Sequence, residues 1–106
     1  MFMFSVRIPV TQGREVEFEH AFVGRPKLFQ MTPGFIRNEL LRPANAGDYL
    51  LLVYWESREA HTAWSKTEGY RTLTAQSGPK ELYSGPNVLG LHEVISLQER
   101  IREMAA

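Results

Sequence analysis

The stretch Tyr49-Leu50-Leu51-Leu52-Val53-Tyr54-Trp55 is apolar or aromatic at every position. In an extended strand alternate side chains point to opposite faces, so Tyr49, Leu51, Val53 and Trp55 share one face and Leu50, Leu52 and Tyr54 the other. Such a strand has to be covered on both sides.

The flanking patterns say which covers are available. From Phe2 to Val10 the even positions Phe2, Phe4, Val6, Ile8 and Val10 are apolar, while Ser5, Arg7 and Pro9 are not. That is the period-2 alternation of a strand with one buried face. Thr11-Gln12-Gly13 reads as a turn, and Arg14 to Phe29 carries Phe18, Ala21, Phe22 and Phe29 at helical spacing against Glu15, Glu17, Glu19 and Lys27. Acids in the first turns suit the helix dipole. Gly24-Arg25-Pro26 predicts a break, because Pro26 lacks an N–H and clashes with the preceding turn, giving a long helix followed by a short one. Thr32-Pro33-Gly34 ends the helix and launches a second strand over Phe35 to Arg42, with Gly34 supplying the positive φ of the turn. After the turn cluster 43–48 and the doubly apolar strand, Ser57 is placed to cap a helix through Glu59, Ala60, Ala63 and Trp64. A second short helix holds Tyr70 and Leu73, Ser77 to Pro86 is a loop, Asn87 to Leu97 is a fourth strand, and Gln98 to Met104 is a short polar helical tail.

The order is β-α-β-β-α-β, an α+β ferredoxin-like unit in which helices cover one face of a four-stranded antiparallel sheet. The other face stays open. Each large apolar side chain left in water forfeits about 1.5–3 kcal/mol, and a domain has only about 5–15 kcal/mol of net stability. The second apolar face of the 49–55 strand therefore predicts a homodimer, sheet against sheet. The loop residues Tyr83, Ser84 and Pro86 are read as an arm onto the partner.

Composition narrows the function classes. A chain of 106 residues suits one domain over residues 1–106. Lys plus Arg and Asp plus Glu number 12 each, so there is no basic excess for phosphates or an anionic membrane, and neither nucleic acid nor membrane is expected as a partner. The absence of cysteine removes disulfides, thiolate chemistry and Cys-ligated zinc or iron–sulfur clusters. The opening MFMFSVRIPV is interrupted by Arg7 and has neither a basic leader nor a small-residue cleavage site, so it reads as a strand and not as a signal peptide. No apolar run reaches the length of about 18 residues that spans a bilayer, and the expectation is a soluble, cytoplasmic protein. The histidines His20, His61 and His92 are too far apart for HExxH, so no metal site is expected. Neither the dinucleotide and phosphate-loop glycine motifs nor the GxSxG nucleophile elbow occurs.

Several short runs carry a likeness. They are Thr32-Pro33-Gly34-Phe35-Ile36, Leu40-Leu41-Arg42-Pro43, Tyr49 to Leu52 leading into Trp55-Glu56-Ser57, then Glu59-Ala60 and Ala63-Trp64. Together they resemble the antibiotic biosynthesis monooxygenase family of dimeric α+β barrel proteins, over nearly the whole chain. The resemblance implies a ferredoxin-like protomer, a sheet-to-sheet dimer, and a pocket in each subunit between helices and sheet. One branch of that family comprises cofactor-free monooxygenases of electron-rich polycyclic phenols, and another comprises bacterial haem-degrading monooxygenases.

The haem-degrading branch uses an Asn in the first strand, a Trp at the end of the helix after the WES run, and a His ligand ten positions later. Those places hold Val6, Trp64 and Thr74 here. A Thr hydroxyl is a poor axial donor for haem iron, and Val6 offers no hydrogen bond to iron-bound oxygen. Haem is thus disfavoured and no cofactor is expected, although His61 or His92 reaching a pocket from another direction would provide a route to haem. In the quinone-forming members a Trp at this place and a Tyr six residues later line the pocket, which makes Trp64 and Tyr70 the expected catalytic pair. A cofactor-free site needs an apolar cavity, aromatic walls and a few polar groups to hold a developing anion. Arg37, Asn38 and Thr74 are the expected substrate-binding groups. Because Arg37 and Asn38 alternate along their strand, one faces the helix layer and the other the partner chain.

The expected function is a cofactor-independent monooxygenase acting on a hydrophobic, aromatic small molecule, with a haem-degrading protein or a non-catalytic dimeric ligand-binding module as alternatives. Other roles fit the same residues. Trp64 and Tyr70 also suit core packing, His20 and His61 suit surface positions beside Glu19 and Glu59, and His92 suits a hydrogen-bonded place at the sheet edge or dimer seam.

Overall fold

The computed structural model describes residues 1–25 and 31–101. Along the chain run β1 (Phe2–Ile8), α1 (Glu15–Val23), β2 (Phe35–Leu41), β3 (Tyr49–Trp55), α2 (Arg58–Trp64), α3 (Glu68–Thr74), a 3-10 turn (Lys80–Leu82) and β4 (Val88–Glu93). The strands form one antiparallel sheet in the order β2-β3-β1-β4. This is the α+β ferredoxin-like arrangement, with the two most apolar strands in the middle where both edges are paired.

The register of β1 against β3 sets Phe2 opposite Trp55, Phe4 opposite Val53, Val6 opposite Leu51 and Ile8 opposite Tyr49. All eight side chains are buried, beneath Phe18 of α1, Trp64 of α2 and Leu73 of α3. The alternation in the sequence is therefore the alternation in burial. On the other face Met3, Ser5, Leu50, Leu52 and Tyr54 are half-buried, and none of the described helices lies over them.

Local chemistry fixes where α2 begins. Ser57 is extended, and its hydroxyl accepts a hydrogen bond from the Ala60 N–H at 3.1 Å, satisfying one of the free donors at the helix start. Thr67 caps α3 in the same way, accepting from the Tyr70 N–H. Gly34 takes φ +83°, and its carbonyl accepts from the Glu56 N–H at 2.8 Å, joining the β2 turn to the end of β3. A Cβ on Gly34 would lie 2.4 Å from the Cβ of Ala60, so the turn also lets α2 approach the sheet.

Several expectations need correcting. Strand β2 stops at Leu41 instead of Arg42, and an irregularity between Phe35 and Arg37 shifts its register. Strand β4 covers Val88–Glu93 and not 87–97. Among the described residues its neighbour is β1, whose first residue Phe2 already faces Glu93, so no described strand extends far enough to pair with Ile95 and Leu97. Residues 98–101 form no helix; Leu97 and Ile101 stay exposed, and a short helix without an apolar face to bury is unstable in water. The rest of that tail, and the short helix expected after Pro26 with Phe29, fall outside the described residues. Among the described residues no helix is long and apolar enough to cross a membrane.

Candidate active site

The seven residues of α2 place His61 and Trp64 three apart, on one helix face. The Ser57 cap sets where that helix starts, and Gly34 sets how close it comes. As a result Trp64 is only 1% exposed. Its ring lies 5.0 Å from that of Trp55 and 5.9 Å from that of Phe4. Tyr70, half-buried in the first turn of α3, meets the Trp64 ring edge-on at 5.2 Å and 87° and sits 5.8 Å from Phe4. Trp64 and Tyr70 are thus brought together over Phe4, in the edge-to-face geometry that aromatic quadrupoles favour.

The expected polar groups divide. Asn38 lies opposite Val53, on the sheet face that carries the helices. Thr74 closes α3, its hydroxyl donating to the Tyr70 carbonyl at 2.9 Å and its own carbonyl accepting from Asn87 at 3.3 Å. Arg37 lies opposite Tyr54 on the other face. Its guanidinium stacks over the Tyr54 ring at 4.4 Å and stands 3.9 Å from the Glu39 carboxylate. Arg37 is not brought together with Trp64 and Tyr70.

His61 is the residue that the sequence reading misplaced. It is 6% exposed instead of lying on the surface. Its ring centroid is 5.3 Å from Phe2, 5.1 Å from Phe4, 6.3 Å from Trp55 and 5.9 Å from Trp64. Nε2 is buried and has no hydrogen-bond partner among the described residues. Burial first, and then the nearby Arg58 guanidinium, hold the imidazole below its ordinary value of 6.5. Rings around a cation attract it by about 0.5–2 kcal/mol, whereas burying an ion without a partner costs several kcal/mol, on the order of twice that attraction or more. The neutral form wins. Position i−3 from Trp64 was the available signal; the neighbouring Glu59 pointed the wrong way.

A polar clasp occupies the far end of β3. Arg42 donates from Nε and Nη2 to the Glu19 carboxylate at 2.7 and 2.5 Å, and the Tyr49 hydroxyl donates to Glu19 Oε2 at 2.5 Å. Those bonds pull the Glu19 carboxyl down to about 2. Burial, followed by the Glu19 bond, pushes the Tyr49 hydroxyl up to about 12. An open cleft of about 580 Å³ lies beside the clasp, between α1 and the loop joining β2 to β3. A second clasp was equally missed. Arg25 donates to the Ser77 hydroxyl at 2.8 Å and to the carbonyls of Leu73 and Ala75 at 2.7 and 2.6 Å, a cation seated on the carbonyl end of α3. Among the described residues no group of three or more His, Cys, Asp or Glu is arranged to hold a metal ion.

Known proteins share this fold. Residues 1–76 match the family model described as antibiotic biosynthesis monooxygenase. A mycobilin-producing haem oxygenase of Mycobacterium tuberculosis is 37% identical over 59 residues, 55% of this chain and 56% of that protein, so the match spans about half of the curated relative. The haem degrader MhuD of Mycobacterium tuberculosis, solved with two haems in its active site, has a TM-score of 0.75 at 27% identity, with 93% of this chain and 100% of that chain covered. SnoaB, a cofactor-independent oxygenase from Streptomyces nogalater, solved as a mutant, has a TM-score of 0.71 at 25% identity, with 93% and 97% covered.

Proposed function

The chain belongs to the antibiotic biosynthesis monooxygenase family, and from that premise we propose that it is a cofactor-independent monooxygenase acting on a hydrophobic, aromatic small molecule held between the helices and the sheet. The observation that carries this reading is the perpendicular pair of Trp64 and Tyr70 over Phe4, with Trp64 buried and Tyr70 open to solvent on one side. An electron-rich phenolate can itself pass an electron to oxygen once it is deprotonated and kept from water. The protein then has to supply binding, orientation and exclusion of solvent. Trp64 backs the wall from the core, and Tyr70 offers a hydroxyl at the mouth, with Asn38 a polar group on the same side of the sheet. Thr74 acts through Tyr70, holding the carbonyl of the turn that carries it.

Haem fits less well. Where the family likeness puts an axial His, Thr74 has its hydroxyl committed to the Tyr70 carbonyl, and a neutral hydroxyl is a weak iron donor. Val6, at the place of the Asn, is fully buried and purely apolar. His61 Nε2 is walled in by Phe2, Phe4, Trp55 and Trp64, leaving no approach for a macrocycle. These residues do not fit haem ligation.

The open sheet face, with Leu50, Leu52, Tyr54 and the Arg37 stack, is proposed to meet a second copy of the chain, and the expected address is the cytoplasm. Anthrone is a suitable probe, since its oxidation to anthraquinone consumes one O₂ and releases one water. With purified protein in a metal chelator, oxygen uptake should match quinone formed. Trp64→Phe and Tyr70→Phe should each lower kcat/KM about tenfold or more, the equivalent of about 1.4 kcal/mol of transition-state stabilisation. Full activity in both variants would remove them from the site.

A further inference from the structure

We propose that His61 is a positioning residue whose protonation sets the Trp64–Tyr70 wall: neutral, it braces Phe4 and Trp64 from within the aromatic cluster, and protonated, it leaves the cluster and the wall loosens. The inference deepens the reading of that wall as the ligand site, but its structural half is testable without any turnover.

The geometry carries it. His61 is 6% exposed, and its Nε2 has no hydrogen-bond partner among the described residues. Its ring contacts Phe4 at 5.1 Å and Trp64 at 5.9 Å, and both of these in turn contact Tyr70, at 5.8 and 5.2 Å. Moving the imidazole therefore removes support from both residues on which Tyr70 rests. A close-packed interior transmits such a loss because it holds few voids into which neighbours relax.

The surroundings offer a proton no welcome. From β1 and β3 the groups that face His61 are Phe2, Phe4 and Trp55, none of them ionisable. From its own helix they are Trp64 and the Arg58 guanidinium, which repels a second positive charge. On α3 the nearest ionisable group is Tyr70, reached through Phe4 and Trp64. Glu93 of β4 is engaged by Arg58 at 3.3 Å, and Glu56 and Glu59 are exposed around the cleft above Phe2. Among the described residues no carboxylate is hydrogen-bonded to His61. Neutral imidazole also explains how a polar ring is tolerated there at all: uncharged, it packs as a small aromatic with one unused lone pair or N–H. Because the folded site disfavours the proton, the wall is intact at neutral pH and loosens as pH falls through a midpoint below 6.5.

The test follows the full chain from about pH 8 to about pH 5 by ¹H NMR of the histidine Cε1 protons and by near-UV circular dichroism of the tryptophans. One histidine should titrate below the ordinary value, and the near-UV signal should step with the same midpoint. His61→Phe keeps an aromatic ring without a proton site, and His61→Leu is the second variant in case the larger ring overpacks; the step should vanish in both. Anthrone binding, read by quenching of tryptophan fluorescence, should weaken about tenfold across the midpoint in the wild type only. A midpoint at or above 6.5, or an unchanged step in both variants, overturns the switch. A step accompanied by pH-independent anthrone binding leaves the switch standing and removes the wall as the ligand site.

Discussion

Replacing Gly34 by Ala probes the contact on which the site's position depends. Gly34 has φ +83°, a region that costs an L-residue about 1–2 kcal/mol. The new methyl would lie 2.4 Å from the Cβ of Ala60 and 3.8 Å from its Cα, whereas carbon atoms pack at about 3.5–4.0 Å. Relieving that overlap by lifting α2 or bending the turn costs about 1–3 kcal/mol. The sum is about 2–5 kcal/mol, a large part of the roughly 5–15 kcal/mol that a domain has. With a urea slope of about 2 kcal/mol/M, the unfolding midpoint should drop by about 1–2.5 M. Ala60→Gly on the same background removes the clash but leaves the positive φ, and it carries a helix penalty of about 1 kcal/mol. A double-mutant cycle should therefore return a coupling of about 1–3 kcal/mol. Gly34→Ala within about 0.5 kcal/mol of wild type, or a coupling near zero, would refute the claim that this turn sets how closely α2 approaches the sheet.

Ser57→Ala should cost about 1 kcal/mol through the lost cap at Ala60, seen as a fall in Tm of about 4–8 °C. Glu19 titrates near 4.5 when unfolded and at about 2 when folded, so its contribution is complete above about pH 4.5 and is lost as pH falls toward 2. In Glu19→Gln the stability profile should be flatter across that window, and a profile parallel to wild type would mean that the Arg42–Glu19–Tyr49 clasp contributes nothing. Arg25→Lys keeps the charge but loses the planar fork that reaches Ser77, Leu73 and Ala75 together. Amide exchange in α3 should accelerate, while exchange in β1 and β3 stays as in wild type.

Features set by neighbours in the chain were readable, and features set by distant partners were not. The bounds of β3, the Ser57 cap and the Gly34 turn follow from short-range chemistry, and the structure has each of them at its expected place. The pairing of Trp64 with Tyr70 followed from the family likeness and from two helices joined by a short turn. The end of β4 depends on where β1 begins, which the apolar parity running on through Ile95 and Leu97 does not reveal. Arg42 finds Glu19 across 23 positions and Tyr49 finds it across 30, so neither pair leaves a local trace. The burial of His61 follows from its phase and not its polarity: one turn before a buried Trp, on a helix pressed against the sheet, a neutral imidazole is simply another ring.

The proposed oxygenase site has Trp64 and Tyr70 as its wall and needs no haem. Parallel assays of oxygen uptake with anthrone, one on chelator-treated protein and one after addition of haemin followed at the Soret band, test it most directly. Without haemin, uptake should equal quinone formed, haemin should give no stoichiometric Soret shift, and Trp64→Phe should lower that uptake about tenfold or more. A sharp one-to-one Soret shift, with oxygen consumed only by the haemin-loaded protein and the haem bleached in the process, would contradict it and assign this chain to haem degradation.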